Sequence, residues 1–547
     1  ILSFSTSLML RSQVLDYGSE LHEFDPFFNF RATEFLVNNG LVEYYNWHDV
    51  KSWYPNGRDI SATSQVMLHV TAATTYQIFG SNMELYDFTI LFPGIVGALT
   101  TIIIFALVRV IGGTTAGLFA SLFFAISVPI IIRGFMGWFK SEPLGLFYGL
   151  FGLYLFLSGI KSDNKKITLS KLIGGGIFMA LGFASWGGIQ FFIIPICIFI
   201  FVLPFLRKDF GFLIWSIPAF VISLLLTTMV FERPGVDFVL GLGGFALILP
   251  TIFLITCSFV QKFSKSENQI RNYLILLLTI ILIGAFLIMF NTENQFLQYP
   301  NYRYLNVINP FLTTTNPLVD SVSEHSVTST YYSFFMHSVL MIFAGLGSWI
   351  IFNKIKFESS KDFPKHLIEF WIIFNKIKFE SSKDFPKDLM VFVLIFGLVG
   401  AYVGSAFVRL ELFTSLSIIF LSSIGLSIII REILNCKNQL HPIRNNIIKF
   451  SYVGGILILI IIPLTFSASN WNSILDTPAI ILNGGSIYNV VTNDWKESLE
   501  WIKLNTPPDS IILSWWDYGY WITTMSERTT LVDNATIDSK QIQKVAN

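Results

Sequence analysis

Long apolar segments recur along this sequence and constrain its fold more than any other feature. A helix that crosses a bilayer needs about 20 apolar residues. Twelve segments of suitable length begin near Phe88, Thr114, Leu144, Leu172, Ile189, Phe212, Val239, Tyr273, Phe334, Leu389, Leu412 and Phe450. The opening ILSFSTSLML is typical of the end of a thirteenth. Because charged residues make up only 13% of the chain, against about 25% in soluble domains, we predict a mainly α, polytopic membrane protein with about 13 transmembrane helices.

Basic residues in alternate loops predict which way the chain lies in the membrane. Lysine and arginine concentrate in the connections near residues 161–171, 207–208, 262–271, 354–387 and 431–449. Such loops stay on the cytoplasmic side. The alternation holds if the weaker apolar patch at 64–79 does not cross, so we expect this patch on or partly in the outer face.

The remaining segments are then predicted to share the outer face. We expect a transmembrane domain over 1–467 with external loops at 11–87 and 291–333, and a short external loop at 133–143. Residues 468–547 are expected to begin an external, mixed α/β carboxy-terminal domain that is truncated here, and we expect a fragment at both ends.

Several other features carry little functional information. The 36 basic and 36 acidic residues give zero net charge, so the sequence offers no electrostatic case for binding nucleic acid. Cys197, Cys257 and Cys436 predict neither a disulfide framework nor a metal cluster. The segment WIIFNKIKFESSKDFPK occurs identically at 349–365 and 371–387, and we assign this duplication no function.

Three acidic motifs fall on the predicted outer face. Asp25 lies in HEFDPFFNFR, Glu142 in RGFMGWFKSE and Glu324 in SVSEH. Taken singly, Asp25 before a proline is typical of a turn or helix cap and Glu142 of a helix start, while Glu324 and its neighbour His325 suit a solvated loop. Taken together, carboxylates from distant parts of the chain favour a site for Mg²⁺ or Mn²⁺, which prefer oxygen ligands.

Two further features leave alternatives open. Arg409, in AFVRLELF between two apolar spans, is either an interfacial arginine that reaches to the lipid headgroups or an anion-binding group, because guanidinium matches the geometry of phosphate. The stretch LSWWDYGYW, residues 513–521, is either an aromatic core cluster or the wall of a binding site. Spacing alone favours the core.

These motifs together resemble the catalytic subunit of oligosaccharyltransferase. WWDYG is the signature pentapeptide of that family, and the match continues through WWDYGYWITTMSERTTLVDNAT. HEFDPFFNFRATEFLVNNG resembles the first acidic motif, SVSEH the glutamate motif of an external loop, and ASWGG at 184–188 a Trp-Gly-Gly membrane segment. One position departs from the family pattern: Lys140 stands where many members carry an acidic residue. The Phe-Lys-Ser-Glu form looks more archaeal than eukaryotic.

The resemblance implies a GT-C type glycosyltransferase that moves a preassembled oligosaccharide from a polyprenyl (dolichyl) phosphate or pyrophosphate to asparagine in N-x-S/T sequons. It implies that Asp25, Glu142 and Glu324 bind Mn²⁺ or Mg²⁺, and that Asp25 and Glu324 also engage the acceptor amide. It assigns Arg409 to the departing phosphate. The residues it implies for substrate binding are Trp186, His325, Trp515, Trp516, Asp517, Tyr518 and Gly519.

The implied partners are a lipid-linked oligosaccharide, an acceptor polypeptide, membrane lipid and accessory subunits. The implied location is an archaeal plasma membrane with the active site outside, or the endoplasmic reticulum membrane with the site in the lumen.

Two alternatives remain from the residues alone: a protein O-mannosyltransferase of the GT-C type, which would not need WWDYG, and a polytopic transporter. The family's further motif after WWDYG is not found before Asn547. The only N-x-S/T sequence of the chain itself, Asn534-Ala535-Thr536, is expected in an outer turn, as a glycan acceptor or a chance occurrence.

Overall fold

The computed structural model describes residues 1–207, 209–294, 322–359, 386–435, 442–465, 478–484 and 490–546. Several sequence predictions fall outside these ranges. They concern most of the predicted loop at 291–333, most of the duplicated segment, Cys436, and the start of the predicted carboxy-terminal domain. Cys197 and Cys257 are free and buried, as expected of apolar runs.

Helices dominate the described residues, and we number them in chain order. The first group is α1 Leu2–Ser12, α2 Asp25–Tyr45, α3 Ile60–Thr63, α4 Val66–Thr75, α5 Leu85–Ile126, α6 Val128–Ile131, α7 Ser141–Ile160, α8 Lys165–Ser185, α9 Ile193–Leu206, α10 Leu213–Met229, α11 Gly235–Leu240, α12 Leu242–Phe263 and α13 Gln269–Asn294. The second group is α14 Thr330–His337, α15 Val339–Ser359, α16 Lys387–Ala406, α17 Glu411–Asn435, α18 Pro442–Thr465, α19 Ile480–Asn483, α20 Asp494–Asn505, α21 Gly519–Trp521 and α22 Ser539–Ala546.

The membrane part agrees with the apolar pattern of the sequence. Among the described residues, eight helices are long and apolar enough to cross a membrane, or nine if α14 and the start of α15, which meet at 96°, form one span. Each predicted span begins in one of the numbered helices or within four residues of one. The predicted count is higher partly because α5 contains two predicted spans: it breaks at Gly113, whose φ of +81° suits glycine and strains other residues.

A smaller body on one side of the helices combines the first loop with the carboxy-terminal residues. Strands β1 (His48–Asp49) and β2 (Arg58–Asp59) pair antiparallel, and β3 (Ile511–Ile512) and β4 (Thr529–Thr530) pair parallel. The two pieces join through the backbone, because the Tyr54 amide donates to the Thr530 carbonyl at 3.0 Å and the Thr530 amide to the Lys51 carbonyl at 3.0 Å.

The weak apolar patch at 64–79 forms α4 and packs on α2. His69 is fully buried, and its ring nitrogens lie 2.6 Å from the Tyr44 hydroxyl and 3.0 Å from Asn29 Oδ1. A polar residue in this patch therefore fixes α4 to the helix that begins at Asp25. This packing explains why the patch is less apolar than the predicted spans.

Candidate active site

Asp25 begins α2 and points towards a buried lysine. It is the first residue of α2 and follows Phe24, which occupies the N-cap position. Asp25 Oδ2 lies 2.9 Å from Lys140 Nζ, and the Asp25 side chain is 39% exposed. The first acidic motif thus presents a carboxylate that is paired on one side and accessible on the other.

Lys140 is the hub of this part of the site. Its ammonium contacts both Glu23 and Asp25 and lies 4.7 Å from the centre of the Trp138 ring. Burial lowers the pKa of the Lys140 ammonium, but the nearby carboxylates, Asp25 first, outweigh this effect and raise the pKa above its ordinary value. Burial also raises the pKa of Glu23, while Lys140 opposes that rise.

Two arginines hold the other carboxylates together. Arg409 donates to Glu142 Oε1 at 2.9 Å and lies 3.7 Å from Glu324 Oε2. Arg133 lies 2.8 Å from Glu324 Oε1 and 3.7 Å from Glu142 Oε1. Burial alone would raise the pKa of Glu324, but the positive charges of Arg133 and Arg409 lower it to about 2. Glu324 therefore stays ionised at neutral pH.

The structure brings the three predicted metal ligands into one cluster but not into direct contact. Among the described residues, no group of three or more carboxylate, histidine or cysteine side chains is placed to hold a metal ion. Ion pairs with Lys140, Arg133 and Arg409 link these carboxylates, and their convergence on one ion stays a prediction. One observation still fits a cation: Glu142 Oε2 is buried and has no hydrogen-bond partner among the described residues.

A cavity of about 500 Å³ opens beside this cluster. Four of the predicted site residues line it, namely Asp25, Trp186, His325 and Arg409. The Trp186 ring stacks on Phe413, with ring centres 5.6 Å apart, in the wall of the cavity. The cavity therefore joins an acidic motif, the Trp-Gly-Gly segment and the unusual arginine, which lie far apart in the sequence.

The pentapeptide WWDYG carries polar groups among its aromatic rings. Trp515 Nε1 donates to Asp517 Oδ2 at 3.1 Å. Trp516 Nε1 is buried and has no hydrogen-bond partner among the described residues. Burial raises the pKa of Asp517, the Trp515 hydrogen bond opposes the rise, and the negative charge of Asp25 adds to it. Two adjacent residues of the pentapeptide thus carry a buried donor without a partner among the described residues and a half-buried carboxylate.

Contacts on both sides of Asp25 fix the position of WWDYG. Trp521 Nε1 donates to the Glu23 carbonyl at 3.2 Å, and the Tyr518 ring packs edge-on against Phe24 at 5.9 Å. Thr524 Oγ1 donates to the Phe27 carbonyl at 3.2 Å. The pentapeptide and the first acidic motif are therefore parts of one site, although almost the whole chain separates them.

Gly519 permits this packing because there is no room for a side chain. A Cβ atom at this position would lie 2.5 Å from Asp533 Cβ and 2.6 Å from the Val532 carbonyl oxygen. Asp533 is itself fully buried and accepts hydrogen bonds from the Ser52 hydroxyl and from Trp53 Nε1, the latter at 2.7 Å. Glycine has no side chain that could contact substrate, so we infer that Gly519 has a packing role.

The sequence motifs did not identify three charged residues as members of this site. Glu23 and Arg133 lie inside motifs that were singled out for Asp25 and Glu142, but only the structure reveals their ion pairs. Arg233 lines the cavity, and its NH1 group donates to the Thr63 carbonyl at 2.8 Å. The only available signal for Arg233 was its position between two spans on the predicted outer face.

Comparisons with known proteins agree with this geometry. Residues 11–361 match the family described as Oligosaccharyl transferase STT3, N-terminal, and residues 508–546 match the STT3/PglB/AglB core domain. The STT3B subunit of rice dolichyl-diphosphooligosaccharide–protein glycosyltransferase is 26% identical over 97% of this chain and 74% of that protein. The STT3 subunit of Dictyostelium discoideum is 26% identical over 100% of this chain and 73% of that protein.

Solved structures share the fold at low sequence identity. The oligosaccharyltransferase AglB from Archaeoglobus fulgidus, in complex with an inhibitory peptide and a dolichol-phosphate, superposes with a TM-score of 0.72 at 15% identity, over 100% of this chain and 67% of that chain. The same archaeal enzyme in complex with Zn and sulfate gives a TM-score of 0.63 at 14% identity, over 100% of this chain and 66% of that chain.

Proposed function

The chain belongs to the oligosaccharyl transferase STT3 family. On that basis we propose a role in glycan transfer for each residue of the site. It is an integral membrane glycosyltransferase that moves an oligosaccharide from a lipid-linked carrier to protein asparagine in N-glycosylation. One observation carries the assignment of roles. Asp25 and Arg409 line a single cavity, while the segment that contains WWDYG packs against the residues on both sides of Asp25.

The acceptor asparagine is proposed to lie between Asp25 and Glu324. An amide nitrogen is a poor nucleophile because its lone pair is delocalised into the carbonyl. Carboxylates that accept hydrogen bonds from both N–H groups would weaken this conjugation and orient the nitrogen. The accessible side of Asp25 and the ionised Glu324 suit this role, since an ionised carboxylate only accepts hydrogen bonds.

The phosphate of the lipid carrier is proposed to bind at Arg409. This guanidinium is fixed by its ion pairs with Glu142 and Glu324, and it also lines the cavity. Arg233 lines the same cavity and has no carboxylate within ion-pair distance among the described residues. Two cations in one cavity would stabilise the charge that develops on a phosphate or pyrophosphate as it departs.

A divalent ion, Mn²⁺ or Mg²⁺, is proposed to complete the site. The archaeal homologue with Zn and sulfate and the unpaired Glu142 Oε2 support this proposal. Glu142, Asp25 and Glu324 are the side chains that would hold the ion, and oxygen ligands suit both metals. When bound, the ion would act as a Lewis acid towards the phosphate. Lys140 is then a positioning residue that holds Asp25 and Glu23 in place.

The WWDYG pentapeptide is proposed to recognise the serine or threonine hydroxyl of the sequon. A hydroxyl both donates and accepts, so it can accept from the unpaired Trp516 N–H and donate to Asp517. A residue without the hydroxyl would leave these groups unpaired, and sites of this kind reject such analogues strongly. Trp515 holds Asp517 in position, and Tyr518 anchors the segment on Phe24.

The surroundings of the enzyme follow from the same proposal. We place the site on the outer face of an archaeal plasma membrane or the lumenal face of the endoplasmic reticulum, with residues 1–467 in the membrane domain and the residues after 467 on that face. His325 and Trp186, as lining residues, would contact the glycan or the lipid phosphate. Accessory subunits remain expected partners.

Transfer of a labelled lipid-linked oligosaccharide to a peptide containing N-x-T tests this function. The full chain in lipid nanodiscs should modify the asparagine, and Asp25→Asn should abolish transfer. Asp16→Asn, an exposed carboxylate in the same outer loop, is the matched control and should retain full activity. Modification of serine or threonine in a peptide without asparagine would indicate an O-glycosyltransferase. In proteoliposomes, movement of the lipid-linked sugar across the membrane without covalent transfer would indicate a transporter.

A further inference from the structure

A second cavity lies at the opposite end of the helix that begins beside the catalytic cluster. Helix α7 starts next to Glu142 and ends at Ile160. Its 20 residues span about 30 Å, which equals the thickness of the hydrocarbon core. The cavity has a volume of about 490 Å³ and is lined at this far end by residues of α5, α7 and α8.

The charges around this cavity all have one sign. Arg109, Lys161 and Lys171 line it, and none of its lining residues is acidic. Arg109 and Lys171 have no carboxylate within ion-pair distance among the described residues, while Lys161 Nζ donates to the Val110 carbonyl at 2.7 Å. Asp163 belongs to the same loop but does not line the cavity. Arg109 and Lys171, which have no carboxylate partner among the described residues, therefore form a site for an anion, and Lys161 adds a third positive charge to its wall.

Helix packing and a helix cap fix the positions of the basic residues around this cavity. Helix α5 breaks at Gly113, immediately after the turn that carries Arg109. A Cβ atom on Gly117 would lie 3.1 Å from Arg109 Cβ, so the two halves of α5 pack closely around this arginine. The side chain of Asn164 caps α8 by accepting from the Lys166 and Ile167 amides at 3.0 and 3.3 Å. These contacts fix the helix end from which Lys171 projects.

An apolar strip leads from the cavity into the membrane region. Phe105 lines the cavity one turn before Arg109, and Ile102 lies two turns before it on the same helix face. Ile102 is 55% exposed and Ile167, which also lines the cavity, is 47% exposed. A ligand that carries both a phosphate and acyl chains would satisfy both parts of this surface.

We propose that this cavity binds the phosphate of an anionic glycerophospholipid at the membrane face opposite the acidic motifs. Basic pockets between transmembrane helices recognise such headgroups, and each cation near an anionic membrane surface contributes about fivefold in affinity. The Ser158 and Ser162 hydroxyls also line the cavity and provide neutral hydrogen-bonding groups. This binding is separate from glycan transfer and does not depend on the proposed catalytic roles.

Titration of the purified full chain with phosphatidylglycerol, followed by native mass spectrometry, tests the proposal. The double variant Lys161→Gln/Lys171→Gln should weaken the first bound phosphatidylglycerol by about 25-fold. Lys165→Gln/Lys166→Gln removes the same charge from the first turn of α8, outside the cavity, and should change this affinity less than twofold. Arg109→Gln, on α5, should weaken it about fivefold.

Three results would overturn the proposal. Equal weakening in both double variants would mean that diffuse loop charge attracts the lipid. Equal binding of phosphatidylcholine would remove the role of net headgroup charge. Displacement of phosphatidylglycerol by millimolar inorganic phosphate would identify a soluble-phosphate site instead. Glycan transfer in phosphatidylcholine nanodiscs checks that each variant is folded. If a double variant does not fold, the single variant Lys171→Gln is measured in its place.

Discussion

Lys140 Nζ lies 2.9 Å from Asp25 Oδ2, and the same ammonium contacts Glu23. A lysine therefore stands at a position where the family resemblance led us to expect a carboxylate. Because Lys140 is 6% exposed, its charge is compensated by carboxylates more than by water. The position of the Asp25 carboxylate, which we propose to bind the acceptor asparagine, therefore depends on a buried lysine.

Lys140→Gln should reduce glycan transfer by at least tenfold and destabilise the protein. Removing one member of a buried ion pair leaves uncompensated charge and typically costs about 3–5 kcal/mol. The variant leaves Glu23 and Asp25 next to each other without their common cation, so we also expect tighter binding of Mn²⁺. Kinetics and Mn²⁺ binding by electron paramagnetic resonance measure the two effects.

Lys496→Gln is the control for Lys140→Gln. Lys496 pairs with Glu20 on the same side of the molecule, but its side chain is 36% exposed. Exposed ion pairs contribute about 0–1 kcal/mol, so transfer should change less than twofold. Full activity of Lys140→Gln, with unchanged Mn²⁺ affinity, would make Lys140 a bystander.

The ion pairs of Glu324 predict how stability depends on pH. Its pKa falls from 4.5 to about 2 in the folded protein, so the folded state favours the ionised form. This contribution is complete above the unfolded pKa and is lost as pH falls through the folded value. Thermal unfolding in detergent should therefore show a stabilisation of about 3 kcal/mol at neutral pH that declines between about pH 4.5 and 2.

Glu324→Gln should flatten that acid limb of the unfolding curve. Glu527→Gln is a useful comparison, because Lys503 also lowers the pKa of Glu527 but the pair is largely exposed. Glu527→Gln should leave the limb almost unchanged. An acid limb of equal size in the Glu324→Gln protein would show that other carboxylates control acid unfolding.

Asn534 should remain unmodified in the folded enzyme. It lies in a turn, as its sequence predicts, but its side-chain Oδ1 is buried without a hydrogen-bond partner among the described residues. Because part of this amide is buried in the fold, we expect that it does not enter the acceptor site of another copy. Mass spectrometry should find unmodified Asn534 in the purified protein, whereas a synthetic peptide spanning residues 530–539 should accept glycan. Stoichiometric modification of Asn534 would contradict the buried position.

The sequence predicted the helical spans well because apolar length is a local property. It also identified Asp25, Trp186, His325 and Arg409, which line one cavity, because each lies in a recognisable motif. Motifs do not encode pairing between distant residues. The contacts of Arg133 with Glu324 and of Lys140 with Glu23 depend on how helices pack. For the same reason, the sequence did not predict that Lys140, Arg133 and Arg409 pair with the three carboxylates.

Selection of the sequon hydroxyl should depend on the indole N–H of Trp516. This donor is buried and unpaired among the described residues, and the next residue in the sequence, Asp517, accepts from Trp515. Trp516→Phe keeps the ring but removes the donor, so the hydroxyl loses one hydrogen bond worth about 1–3 kcal/mol in a buried site. The kcat/KM for an N-x-T peptide should fall about 5- to 150-fold. The ratio of N-x-T to N-x-A transfer should fall with it. Trp501 of α20 is 61% exposed, so the control variant Trp501→Phe should change neither value. An unchanged ratio of N-x-T to N-x-A transfer in Trp516→Phe would assign the pentapeptide to packing alone.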